Sequence, residues 1–188
     1  MNARFEPQRL LLKDRAAWRQ WLDGNENSSD GVRLVLAKKG TSDPTSLSYS
    51  EALEEAICSG WIDGRRNALD ALTFLQHFLP RRTGSNWSQR NVNIVSKLQA
   101  EGRMRQRGED EVAAAKFDGR WDRAYPGQAT AEAPEELIAA LRQSPRALAS
   151  FEALSKGERY PLILEALTSP DNLRPARIAR MVLRLEAR

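Results

Sequence analysis

Beyond Pro134 every local signal in the chain is helical. Pro134 and Pro145 stand where a first-turn proline is tolerated, because the amide proton it lacks would have no intrahelical acceptor there. Ser144 supplies an N-cap. Apolar residues recur at helical spacing in four sets: Leu137, Ile138 and Leu141; Leu148, Phe151 and Leu154; Leu164 and Leu167; and Ile178, Met181, Val182 and Leu185. Short amphipathic helices joined by brief connections pack against their neighbours, so residues 134–188 are expected to form a compact helical unit.

The preceding part is mixed. Asp14 can cap a helix that carries Trp18, Trp21 and Leu22 and ends near Gly24. Val32 to Ala37 is aliphatic, β-branched and partly alternating, which predicts a strand. Ser48 with Glu51 three residues on has the form of a capping box, opening a helix that buries Leu53, Ala56 and Ile57 and stops at Gly60. Thr73 to Leu79, closed by Pro80, reads as a second strand that pairs with the first. Ser85 and Ser88 precede a helix with Val92, Val95 and Leu98 on one face, and a further helix is expected over Glu109 to Asp118, stopped by Gly119. The fold class implied is α+β and predominantly helical. A small antiparallel sheet packed with helices is expected over residues 1–128, a small-residue linker over 126–133, and a C-terminal helical bundle over 134–188.

Composition removes several chemistries. With one histidine and one cysteine in 188 residues, no internal disulfide can form and no usual zinc-ligand spacing exists, so no metal and no cofactor is expected. Neither Gly60-Trp-Ile-Asp-Gly64 nor Gly119-Arg-Trp has the form of a phosphate or dinucleotide loop. No apolar run approaches the roughly 18 residues that a membrane-crossing helix requires. The opening residues lack the apolar core and cleavage site of a signal peptide, and the expected location is cytoplasmic. Cys58 and His77 would make a nucleophilic pair only if the fold brought them within hydrogen-bond reach; a cysteine in the last turn of an amphipathic helix is more often a small buried hydrophobe.

Charge is unevenly placed. Arginines outnumber lysines by 23 to 6, and residues 81–107 hold seven basic side chains (Arg81, Arg82, Arg90, Lys97, Arg103, Arg105, Arg107) against Glu101 alone. Within and beside this stretch lie Trp61, Asp63, Arg81, Arg82, Ser85, Trp87, Ser88 and Asn91, on two short segments that combine indoles with polar groups. If they meet, they form a concave site with guanidinium forks and hydroxyls, suited to a small anionic ligand or a protein partner. The same residues also have an ordinary structural use, with the tryptophans as core anchors and an arginine paired to Asp63 or Glu51. An enzyme would use Asp63 or Glu51 as base beside an arginine anion clamp, as a hydrolase or transferase does. Nucleic-acid binding through 81–107 is disfavoured, because a single run of charge is usually a solvated face.

The central motifs carry a resemblance. Leu47-Ser-Tyr-Ser-Glu-Ala-Leu-Glu-Glu-Ala-Ile-Cys-Ser-Gly-Trp-Ile-Asp-Gly, Phe78-Leu-Pro-Arg-Arg, Ser85-Asn-Trp-Ser-Gln-Arg-Asn, Gly102-Arg-Met and Gly119-Arg-Trp together resemble the YdeI/OmpD-associated, or bacteriocin-protection, family, from about Trp21 to the tail Leu173-Arg-Pro-Ala-Arg-Ile. The resemblance implies a stress-resistance protein of bacterial type, more readily non-enzymatic than catalytic, and brings no catalytic residue with it. In the tail the family commonly has a Glu-Thr-Arg type sequence where this chain has Asn172-Leu173-Arg174.

Overall fold

The computed structural model describes residues 7–188. The chain divides into two compact units, one of Met1–Ser85 and Asn93–Phe117, the other of Asn86–Val92 and Asp118–Arg188. The boundaries therefore fall elsewhere than the 126–133 segment suggested.

The first unit contains a four-stranded sheet in the order β1-β2-β4-β3, with β1 at Gln8–Leu10, β2 at Val32–Ala37, β3 at Trp61–Ala68 and β4 at Thr73–Pro80. β2 and β4 are the two strands expected, and they pair antiparallel from Val32 opposite Phe78 to Ala37 opposite Thr73. The sheet is mixed rather than purely antiparallel, because β1 adds to β2 in parallel. β3 was not expected, because its sequence is polar and lacks alternation. It pairs with β4 over Trp61–Asp63 and again over Arg66–Ala68, with a register shift between, and its polar side chains are tolerated at a sheet edge.

Alternation divides the two faces. Val32, Leu34 and Leu36 of β2 and Phe74, Gln76 and Phe78 of β4 are buried, and Phe78 meets Trp18 with ring centroids 5.7 Å apart. Helix α1 (Arg15–Asn25), capped by Asp14, and helix α2 (Tyr49–Cys58), opened by the Ser48/Glu51 capping box, belong to this core. Trp18 stacks on Trp21 and presents its edge to Trp61, while its indole N–H donates to the Ala52 carbonyl.

Helix α3 (Gln89–Ala100) and helix α4 (Gln106–Phe117) follow. At Gly108 an added Cβ would sit 2.3 Å from the Cys58 carbonyl oxygen, so only glycine lets α4 approach the end of α2 this closely. The Arg105 amide donates to that same carbonyl.

Beside it lies a buried ion network. The Glu55 carboxylate, 2% exposed, accepts from Arg15 at 2.7 Å, from Arg103 at 2.9 Å and from Arg105 at 3.1 Å. Glu54 takes Lys97 and Arg103, each at 2.9 Å.

The second unit carries α5 (Glu135–Arg142), α6 (Pro145–Ala153), α7 (Lys156–Thr168) and α8 (Arg174–Glu186), the four helices expected. Leu137, Leu141, Ala147, Phe151, Ile163, Ala166, Ile178, Met181 and Leu185 form their core. Ala131 and Ala133, in the segment read as a linker, pack against that core. Trp87 meets Trp121 edge-on at 5.0 Å, and the Tyr125 amide donates to the Trp87 carbonyl.

Removing one partner of a buried ion cluster strands the remaining charges in low dielectric. Glu55→Ala is expected to lower the unfolding free energy by about 3–5 kcal/mol, measured by urea denaturation; a loss below about 1 kcal/mol would mean that desolvation cancels the attraction.

Candidate functional site

The eight residues expected to form a ligand site are divided between the units. Trp61, Asp63, Arg81, Arg82 and Ser85 belong to the first, and Trp87, Ser88 and Asn91 to the second. Most have structural duties. Trp61 is fully buried, and its indole N–H donates to the Glu26 carbonyl. The Tyr49 hydroxyl donates to Asp63 at 2.8 Å. Arg81 is 5% exposed, and its amide donates to the Gly60 carbonyl. The Arg82 amide donates to the Ser85 hydroxyl, closing a turn whose Arg82 side chain is exposed. In the second unit Trp87 and Asn91 are buried, and the Ser88 hydroxyl accepts from the Asn91 amide as the cap of α3.

The carboxylates considered for catalysis are similarly engaged. Glu51 accepts from the Ser48 amide and hydroxyl in the capping box, and Asp63 has the Tyr49 contact. Cys58 is buried, and burial, with the Glu55 charge second, pushes its thiol up to about 12, so no thiolate is available near neutral pH. His77 lies on a strand face away from that core. Of the seven cations in 81–107, Lys97, Arg103 and Arg105 are paired to carboxylates, and Arg107 donates to the Asn27 side chain. That commitment leaves little of the run to track a phosphate backbone.

A different group of polar residues converges on the second face of the sheet. Arg33 of β2 stands opposite His77 of β4, and on the other side Arg9 of β1 stands in register with Arg33. Arg65 falls in the irregular step of β3 between Asp63 and Arg66. Residues in register across a sheet share a face, so Arg9, Arg33 and His77 form a row across three strands, with Arg65 at the neighbouring edge. Beside this row is a cavity of about 460 Å³ whose described lining residues are Pro7, Arg33, Arg65, Asn67, Leu75 and His77.

Two glycines hold the imidazole. A Cβ on Gly31, whose φ is +134°, would meet His77 Nε2 at 3.1 Å, and one on Gly64 would meet Nδ1 at 3.4 Å. Nε2 is buried and has no hydrogen-bond partner among the described residues. Burial first, and the Arg33 charge second, hold His77 below the ordinary imidazole range, so the ring is neutral at pH 7.

Sequence reasoning missed this group because it treated Arg33, Arg65 and His77 as members of three separate segments. The signal was available in the alternation of β2 and β4, which sets Arg33 and His77 on the face opposite Leu34 and Phe78.

The second unit has cavities of about 450 Å³ beside α6 and α7 and about 350 Å³ beside α5 and α8. Their cations are already engaged: Lys156 donates to the Ala129 carbonyl, Arg159 to the Leu154 carbonyl, and Arg174 pairs with Asp171 at 2.7 Å. Among the described residues no group of three or more His, Cys, Asp or Glu could hold a metal ion, and no helix is long and apolar enough to cross a membrane.

Residues 10–111 match the model of a domain of unknown function (DUF8412). Residues 130–188 match the model described as bacteriocin-protection, YdeI or OmpD-associated. That resemblance thus appears as a partial match in the helical C-terminal stretch, and the motifs from Leu47 to Gly102 fall within the first model. No curated protein and no solved structure matches the chain.

The unfolded chain protonates His77 near pH 6.5 and the folded chain only at lower pH, so below about 6.5 the unfolded state binds more protons. The contribution from neutral His77 is complete above that value and is lost as pH falls toward the folded pKa. The melting temperature is expected to drop between pH 7.5 and 5, and His77→Gln should make the decline shallower; an identical decline in the variant would show that other groups cause it.

Proposed function

From a chain that belongs to the family of the domain of unknown function DUF8412 and ends in a partial match to the bacteriocin-protection family, we propose a non-enzymatic stress-resistance protein that binds a small anionic ligand. The observation that carries the reading is the cavity on the second face of the sheet, where Arg33 and Arg65 line the wall together with Asn67 and His77. Guanidinium groups present paired donors in a planar fork, which suits phosphate and carboxylate oxygens. The segments around Trp61, Asp63, Arg81, Arg82, Ser85, Trp87, Ser88 and Asn91 have the weaker claim, since most of those side chains are buried or engaged in caps and turns.

A binding role is favoured over a reaction because none of the described residues lining the cavity is a carboxylate, a thiol or a hydroxyl. The stress-resistance part rests on the partial family match. A cytoplasmic seat agrees with a lone buried cysteine that requires no oxidising compartment.

The test is calorimetric titration of the full chain with inorganic phosphate and with acetate at low ionic strength. Arg65 is exposed, so Arg65→Ala is expected to weaken phosphate binding at least tenfold while moving the melting temperature by no more than about 2 °C. Arg82→Ala should bind as the unaltered protein does. Equal affinity in Arg65→Ala, or loss in Arg82→Ala alone, would move the site to the loop residues.

A further inference from the structure

We infer that the cavity of about 450 Å³ beside α6 and α7 is a second ligand site, shaped for a small carboxylate with an apolar body. Its described lining residues all belong to the second unit, and none of them lines the sheet cavity.

The space arises from the way residues 126–133 cross the helices. The Tyr160 hydroxyl donates to the Pro126 carbonyl at 3.2 Å and the Lys156 ammonium to the Ala129 carbonyl at 2.6 Å, so two side chains of α7 pin the segment in place. On the cavity side this segment carries the methyl groups of Ala131 and Ala133, where larger apolar residues would close the gap. Phe151 and Ile163, 5% and 7% exposed, belong to the core of the unit and also line the cavity, with Ile138 and Leu154 beside them. Such a wall favours an apolar body over water, and the volume falls within the range of about 300–1,000 Å³ that small-molecule sites occupy.

Charge decides the other end of the ligand. Lys156 and Arg159 both line the cavity, and among the described residues neither has a carboxylate within ion-pair distance. Their bonds go to neutral carbonyls, those of Ala129 for the lysine and of Leu154 and Glu152 for the arginine. These bonds fix the cations without neutralising them and leave donors unspent, since an ammonium has three N–H groups and a guanidinium five. The Arg159 guanidinium lies 5.4 Å from the centroid of the Phe151 ring, which brings a charged donor and the apolar wall together. Glu132, the carboxylate among the described lining residues, is exposed to water. Two cations against one carboxylate leave a single positive charge. A ligand carboxylate balances it, whereas a phosphate monoester would bring nearly two negative charges.

The test is calorimetric titration of the full chain at pH 7 with 3-phenylpropionate, with its neutral counterpart 3-phenylpropanol, and with acetate. 3-Phenylpropionate is expected to bind about tenfold more tightly, or better, than either of the others. Lys156→Gln should weaken the carboxylate about fivefold or more and leave the alcohol unchanged, a split that a loss of folding would not produce. Ala131→Phe, which puts a ring into the cavity, should weaken both. Equal affinity for 3-phenylpropionate and the alcohol removes the charge argument, and equal affinity for 3-phenylpropionate and acetate removes the apolar one; either result overturns the inference. Binding that neither variant alters places the ligand elsewhere and overturns it as well, as does the absence of binding by 3-phenylpropionate.

Discussion

The Glu55 carboxylate organises the first unit. It sits on the inner side of α2, and three guanidiniums converge on it: Arg15 from α1 and Arg103 and Arg105 from the segment that leads into α4. An ionised carboxylate cannot be buried without compensation, so these contacts impose one relative placement on α1, α2 and the α3–α4 connection. Gly108 completes the fit by removing the side chain that would otherwise hold α4 off the end of α2. The tryptophan cluster beside it fills the space so defined. In such an arrangement the ion network sets geometry, and the apolar contacts of Trp18, Leu34, Leu53 and Phe78 supply most of the stabilising burial.

This network also sorts the arginines. Those of the loop between α3 and α4 are neutralised by Glu54 and Glu55 and contribute to the scaffold, even though they form the densest basic run in the sequence. Arg33 on β2 lies in register with Arg9 of β1 and opposite His77 of β4, and Arg33, Arg65 and His77 line one cavity. The rigid pairing of β2 with β4 holds Arg33 and His77 in place, so an anion there would meet donors that are already ordered.

Most helices were legible because each carries its own local signals. Asp14, Ser48, Ser88, Ser144 and Ser155 all accept from amides of the first helical turn, and the apolar stripes of α5 to α8 meet in one core. The strands β2 and β4 were visible through their aliphatic and aromatic content. β3 was not, since Trp61-Ile-Asp-Gly-Arg-Arg-Asn-Ala lacks alternation and owes its extended form to pairing with β4. β1 is three residues long and adds in parallel, a geometry that no short-range pattern announces.

Sequence by itself determined most of the helices, strands β2 and β4, the caps and stops, the impossibility of an internal disulfide, and an excess of arginine over lysine. Those properties follow from side-chain identity and from neighbours within a few residues. Only the tertiary structure decided which arginines are spent on Glu54 and Glu55 and which line a cavity, because that depends on carboxylates some 50 positions away and on strand register. The same holds for His77. Its neutrality and its position beside Arg33 come from a sheet face assembled out of separate segments, with glycines at 31 and 64 leaving space for the ring.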